Sequence, residues 1–250
     1  MLDPELKNLM TELKLNNLKD NLEGCLLSAE QEEVTYLQFL KNALYLEYKI
    51  REEKKYRERA RRSNLPYFKD FSDYDFNFQN VVSKRKINAL CEMEWVDRLF
   101  NMIFLGPPGV GKTRIMVSVG VEALKRGYTV FFITMSDLME VLNYRSESRK
   151  LENKYKKILN CQILLLDEVG YQPINKDEAN KFFNLIAKLH EKTSIMITSN
   201  KKITEWSEFV DDVALATAVL DRLSFRCETF SMSGNSYRLE NRERFFTGEV

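Results

Sequence analysis

The chain has a single histidine and four cysteines in 250 residues. Cys25, Cys91, Cys161 and Cys227 lie far apart and form no C-x-x-C pair, so neither a structural zinc site nor a disulfide framework is expected. No stretch approaches the ~18 consecutive apolar residues of a membrane-spanning helix. The start, Met1-Leu2-Asp3, is acidic where a signal peptide is basic, and a cytoplasmic location is expected. An excess of one charge is also lacking: 38 Lys and Arg face 37 Asp and Glu, a net charge of +1. Any affinity for a polyanion must therefore come from local clusters. The remainder is ordinary for a globular protein, 44% hydrophobic and 30% charged, and long enough for one large domain or a domain with a small appendage.

Against this background one stretch stands out. Gly106-Pro107-Pro108-Gly109-Val110-Gly111-Lys112-Thr113 satisfies G-x-x-x-x-G-K-[ST] in full, between the apolar run Met102–Leu105 and a helical pattern over Ile115–Lys125. Glycines at these positions turn the backbone tightly enough for several N–H groups, Val110 among them, to face phosphate oxygens, and the helix N-terminus adds partial positive charge. Lys112 is placed to reach the β- and γ-phosphates, and the Thr113 hydroxyl to ligate Mg²⁺. A nucleoside triphosphate, ATP, is the expected ligand.

Upstream, leucines at 2, 6, 9 and 13 and then at 15, 18 and 22 form two short helical stripes with a phase shift near Asn16-Asn17. A longer helical pattern over 35–62 carries Leu37, Leu40, Leu44 and Tyr48 on one face. With no strand signal before residue 80, residues 1–63 read as a small all-helical domain. Between Lys49 and Arg62 there are eight basic residues, Lys49, Arg51, Lys54, Lys55, Arg57, Arg59, Arg61 and Arg62, against three acidic ones. One reading is a solvated face laced by pairs such as Glu53–Arg57 and Glu58–Arg62. The five-charge excess favours a nucleic-acid backbone instead. Asn64-Leu65-Pro66 stops the helix, and the aromatic stretch from Tyr67 to Phe78 reads as a linker, 64–83, whose rings need a surface. They either dock on the following domain or stack on a base.

From residue 84 strands and helices alternate. Helix Lys84–Phe100 leads to strand Met102–Leu105 and, past the glycine loop, helix Thr113–Lys125. Strand Thr129–Ile133, helix Ser136–Tyr144 capped by Ser136-Asp137, strand Ile163–Leu166, helix Asp177–Lys192, strand Ser194–Thr198 and strand Glu228–Met232 follow. Five apolar strands separated by helices imply an α/β domain over 84–250, with a five-stranded parallel sheet covered by helices on both faces. Ligands of such sheets bind at the carboxyl ends of the strands. There Asp167 is placed to hold Mg²⁺ and Glu168, the next residue, to orient and deprotonate water. Ser199-Asn200 ends another strand, where the Asn200 amide can meet a γ-phosphate or the attacking water.

The phosphate loop, Leu164–Gly170, Ile197–Asn200, Glu205-Trp206, Leu220-Asp221-Arg222-Leu223 and Ser236-Tyr237-Arg238-Leu239 together resemble the IstB-like ATP-binding proteins of insertion sequences. Those are AAA+ ATPases close to the helicase loader DnaC and the initiator DnaA. Asp75-Phe76-Asn77-Phe78-Gln79 is similar to the family's aromatic entry into the ATPase domain. The resemblance spans essentially the whole chain, and it implies a P-loop AAA+ core after a helical N-terminal domain. It also implies that Arg222 is an arginine finger reaching the γ-phosphate of a neighbouring subunit, and that Arg238 senses nucleotide in its own. For both, an ordinary surface arginine is the alternative.

An arginine acting in trans requires head-to-tail assembly, as a ring or a helical filament. The implied activity is ATP hydrolysis stimulated by assembly and DNA, and the implied partners are duplex DNA bound with little sequence preference and the transposase of the same element. The implied role is selecting or shaping target DNA and recruiting that transposase. A DnaC-type helicase loader acting on single-stranded DNA fits the same ATPase motifs. A small-molecule P-loop kinase fits less well, because Glu168 beside Asp167 favours water as the nucleophile.

Overall fold

The computed structural model describes residues 3–76, 82–206 and 212–240. The chain forms two compact units, Met1–Glu58 and Arg59–Val250.

In the first unit, Pro4–Glu12 (α1), Asn16–Gln31 (α2) and the start of Tyr36–Arg62 (α3) gather around Met10, Leu18, Leu22 and Ala43. α1 starts on Pro4 with Asp3 capping the Glu5 N–H. α2 has no side-chain cap of its own, since Leu15 occupies that position. The buried carboxylate of Glu47, on α3, takes over: it accepts the Leu18 N–H at 2.8 Å, the Asn17 amide at 3.0 Å and Arg51 Nη2 at 2.6 Å. Burial opposes ionisation of Glu47, yet these hydrogen bonds outweigh it and hold the carboxyl below its ordinary value.

The second unit begins inside α3, a few residues before the expected division after residue 63. Arg59 donates to the Leu124 carbonyl, Ser63 accepts from the Phe132 N–H, and Asn64 donates to the Phe132 carbonyl, which ties the end of the helix to the α/β core. The expected helix Lys84–Phe100 is two, Lys84–Glu92 (α4) and Glu94–Asp97 (α5). They are broken at the fully buried Met93, which adopts a left-handed conformation with φ 65°. Then come Asn101–Leu105 (β1), Lys112–Lys125 (α6), Val130–Thr134 (β2), Met135–Tyr144 (α7), Arg149–Asn160 (α8), Ile163–Val169 (β3), Lys176–Leu189 (α9), Ser194–Ser199 (β4), Val213–Ser224 (α10), Cys227–Ser231 (β5) and Tyr237–Glu240 (α11). The cap of α7 is Thr134, which accepts the Asp137 N–H, rather than Ser136-Asp137. Helices α8 and α10 were not anticipated. In α8, Leu151, Tyr155 and Ile158 are buried at i, i+4, i+7 spacing within a charged surround.

The five strands pair in parallel in the order β2-β3-β4-β1-β5. Side chains alternate across the sheet. Ile103, Phe131, Ile133, Leu164, Leu166, Ile195 and Ile197 pack in one core with residues of α7, α8, α9 and α10. On the opposite face α6 lies so close that a Cβ on Gly120 would meet Leu165 Cδ1 at 2.7 Å. Both faces are therefore covered, as the apolar strands require.

Removing Glu47 orphans the first donors of α2 and leaves Arg51 without its acid, so Glu47→Ala should destabilise the helical unit by about 1–3 kcal/mol. Because folding depresses this carboxyl, its contribution is complete above the unfolded carboxylate value of about 4 and fades as pH falls through the folded value. Denaturant titrations of the full chain at pH 7 and at pH 3, followed by helical circular dichroism, should show a wild-type to E47A difference at pH 7 that shrinks at pH 3.

Candidate nucleotide-binding site

The order β3-β4-β1 brings the carboxyl ends of three central strands together. The glycine loop follows β1, and the Gly106 N–H donates to the Ser199 carbonyl at the end of β4. Gly109 takes φ +84° and lies under Ser236, whose Oγ a Cβ at this position would overlap. The Tyr237 N–H donates to the Gly109 carbonyl. Only glycine suits both the conformation and the approach. Lys112 Nζ donates to the carbonyls of Gly106 and Pro107, at 2.7 and 2.9 Å. Burial lowers its ammonium from the ordinary lysine value, against the opposing pull of Asp167.

Asp167 is 4% exposed. Its Oδ1 accepts from Thr113 Oγ1 at 3.0 Å and from the Thr198 hydroxyl. Hydroxyl and carboxylate oxygens are hard donors, suited to Mg²⁺. No group of three or more His, Cys, Asp or Glu able to hold a metal occurs among the described residues. Glu168, expected as the next acid along a regular strand end, instead sits in a bulge within β3 with φ 62°, and its side chain is exposed. Asn200 is exposed directly after β4, between the strands carrying the loop and the two acids.

A cavity of about 590 Å³ opens on the loop. Gly109–Arg114 form one wall, Tyr67, Lys69 and Asp73–Asp75 a second, and Tyr237 and Arg238 a third. This is the size range of small-molecule sites. The aromatic segment is thus docked on the core. Arg114 donates to the carbonyls of Lys69 and Asp70, Ser118 Oγ donates to the Lys69 carbonyl, and Lys125 pairs with Asp70 at 2.7 Å. Asp70 is held well below the ordinary carboxylate range, chiefly by the Lys125 hydrogen bond and then by Ser72. Tyr74 stacks edge-on with Phe71 and Phe76, and burial raises the phenols of Tyr67 and Tyr74. Positions 77–79 of the aromatic motif lie outside the described residues. Tyr67 and Tyr74, weighed in the sequence as rings that dock or stack on a base, line the cavity, and so do Lys69 and Arg114, for which the sequence held one signal, the position of Arg114 directly after the motif.

Arg238 reaches the cavity. Arg222 does not. It lies in the last turn of α10, beside Leu223, whose carbonyl accepts from Asn101 at the start of β1, whereas the loop follows the far end of that strand, about 13 Å away at ~3.3 Å per residue. Its guanidinium lies 4.5 Å from the Phe183 ring centre and donates to the Ala218 carbonyl. The basic cluster of α3 is partly engaged. Arg51 is bound to Glu47 and the Lys14 carbonyl, Lys54 to Asn17, Lys55 to Glu52, Arg57 to Glu53 and Arg59 to Leu124. Glu58–Arg62 is not among the ion pairs of the described residues, and Lys49, Arg61 and Arg62 are exposed.

Strand order, phosphate loop, buried acid and polar β4 end define a P-loop nucleotide-binding protein of the AAA+ fold. DnaA from Aquifex aeolicus with bound AMPPCP superimposes with a TM-score of 0.55 at 19% identity, over 70% of this chain and 54% of that one. The DnaC helicase loader gives 0.51 at 22% identity, over 69% and 99%. An insertion sequence IS21 putative ATP-binding protein of Pseudomonas aeruginosa is 36% identical over 96% of this chain and 91% of its own length. The IstB-like ATP binding protein family matches residues 8–244, and the chain belongs to that family. No helix of the described residues is long and apolar enough to cross a membrane.

A methyl group on Gly109 should break the loop's contact with Ser236 and strain its backbone. Gly109→Ala is expected to weaken binding of a fluorescent ATP analogue at least about tenfold, a difference of about 1.4 kcal/mol, with the unfolding midpoint of the nucleotide-free protein little changed.

Proposed function

We propose that this protein hydrolyses ATP as an oligomer assembled on duplex DNA, and that it serves the transposition of an insertion sequence by selecting or shaping target DNA and recruiting and stimulating the transposase. The observation that carries the reading is the division of the catalytic groups. Loop, Asp167 and Glu168 meet at one end of the sheet, while Arg222 stands at the other.

ATP would lie with its base near Tyr67 and Tyr74 and its phosphates on the loop amides and Lys112. Thr113 and Asp167 would hold Mg²⁺, which neutralises phosphate charge when bound. Glu168 would take the proton of the attacking water, and Asn200 would meet the γ-phosphate or that water. Arg238 would sense nucleotide within its own subunit. Arg222 cannot complete this site from where it stands, so a neighbouring copy's Arg222 would supply the positive charge that neutralises what develops on the transferred phosphoryl group. Similarity to a putative ATP-binding protein of insertion sequence IS21 supports the transposition setting.

On α3, Lys49, Arg61 and Arg62, with Lys55 and Arg57 released from surface ion pairs of small energetic value and Lys54 released from Asn17, would track a DNA backbone. Arg51 and Arg59 would stay in their structural contacts. The helicase-loader reading predicts preference for single strands, and a gel-shift comparison of duplex with single-stranded DNA in ATP decides between the two.

Two measurements test the mechanism. Glu168→Gln should bind ATP but hydrolyse it about 10²–10⁴ times more slowly, and Arg222→Ala should bind ATP and turn over poorly. Mixing the two inactive variants should restore hydrolysis, because Glu168→Gln subunits lend Arg222 to intact sites; a mixture as inactive as its components excludes action in trans. For DNA, Arg61→Ala with Arg62→Ala should weaken duplex binding and reduce the slope of log affinity against log salt by about two.

A further inference from the structure

Between Leu166 and Val169 the β3–β4 pairing loses its register. Leu166 pairs with Ile197 and Val169 with Ser199, so three steps along β3 match two along β4. The extra residue makes a bulge, uncommon between parallel strands and frequent beside functional sites. It contains Asp167 and Glu168, and Glu168 adopts the left-handed conformation at φ 62°, a backbone state that persists only where surrounding contacts impose it.

The contacts that impose it come from two neighbouring hydroxyls at the end of β4. Thr198, 2% exposed, accepts the Glu168 N–H on its Oγ1 at 3.1 Å and donates its own hydrogen to Asp167 Oδ1. Ser199, 1% exposed, donates from Oγ to the Val169 carbonyl at 2.6 Å and accepts the Lys201 N–H at 3.1 Å. One side chain therefore replaces the ladder partner of the bulged amide, and the next secures the carbonyl just beyond it. The same Asp167 oxygen also receives Thr113 of the phosphate loop. β4 thus ties the loop, the buried acid and the bulged Glu168 into one hydrogen-bonded line. A valine at 198 would keep the shape and the strand preference of threonine while removing both bonds.

We propose that Thr198, supported by Ser199, is a positioning residue for hydrolysis. It holds the β3 bulge so that Asp167 faces the Thr113 hydroxyl while the Glu168 carboxylate projects clear of the strand. The proposal rests on the hydrolytic reading given above. Misplacing a catalytic group by about 1 Å costs up to about 10²-fold in rate, so the expected signature is a loss in kcat without loss of nucleotide binding.

The experiment compares Thr198→Val, Thr198→Ser and Ser199→Ala with wild type in the full chain, with Glu168→Gln as the reference for lost chemistry. Thr198→Val should lower kcat about tenfold to a hundredfold, with KM and the affinity for a fluorescent ATP analogue within about twofold of wild type. Thr198→Ser, which keeps the hydroxyl, should recover most of the rate, and Ser199→Ala should lie between. In the nucleotide-free protein, hydrogen exchange of the Glu168 amide should quicken at least about tenfold in Thr198→Val and stay slow in Thr198→Ser. A Thr198→Val enzyme with wild-type kcat, a Thr198→Ser enzyme as impaired as Thr198→Val, or unchanged exchange at Glu168 each overturns the proposal. If Glu168→Gln itself turns over at the wild-type rate, the hydrolytic reading fails instead, and the exchange measurement still decides whether Thr198 holds the bulge.

Discussion

A carboxylate with almost no exposure to water needs donors, and Asp167 finds them on two other strand ends, Thr113 beyond β1 and Thr198 on β4. A buried charge without such partners is costly, so the parallel order β3-β4-β1 is required by more than apolar packing. The strand order brings the three polar ends into hydrogen-bond range, and Asp167 in turn fixes the loop hydroxyl to the sheet. Everything else in the site is arranged around that connection. Lys112 folds back onto the loop carbonyls, Glu168 is turned outward by the bulge, and Asn200 emerges between the loop and the acids.

The phosphate loop, the two acids and the end of β4 were legible in the sequence because each is a break in an apolar run, where a polar residue has little reason to be unless the strand stops. The parallel sheet was legible for the same reason, as runs such as Ile163–Leu166 are too apolar for a strand with one wet face. Three things were hidden. The break at Met93 depends on a buried left-handed residue with no glycine or proline to signal it. The bulge at Glu168 is encoded in hydroxyls thirty residues away, and local pattern cannot show that. The partners of the basic cluster in α3 were the third, because Glu47 lies outside the window Lys49–Arg62 and Arg59 meets a carbonyl rather than an acid.

α6 links the two halves of the site physically. Its N-terminus carries Lys112 and Thr113, Arg114 and Ser118 hold the carbonyls of Lys69 and Asp70, Lys125 pairs with the Asp70 carboxylate, and the Leu124 carbonyl takes Arg59. A carbonyl in the last turn of a helix is a favourable place for a guanidinium, since the helix dipole leaves partial negative charge there. Arg59 therefore serves α6 in a way its neighbours Arg61 and Arg62, both exposed, do not.

The chain leaving α3 is consequently pinned step by step: Arg59 on α6, Ser63 and Asn64 on β2, Leu65 against Gly120, Lys69 and Asp70 on α6, and Tyr67 and Tyr74 in the cavity itself. A flexible tether would let the cavity fill without consequence for the helix before it. This segment has little slack, because the bonds recur every few residues and several are partly buried, where they are stronger than in water. A nucleotide that orders Tyr67 and Tyr74 would tighten the same strand of contacts that ends at Arg59. On the proposed reading, that makes the last turn of the basic helix the part of α3 most directly exposed to the state of the nucleotide, with Arg61 and Arg62 as the charges it would carry toward DNA.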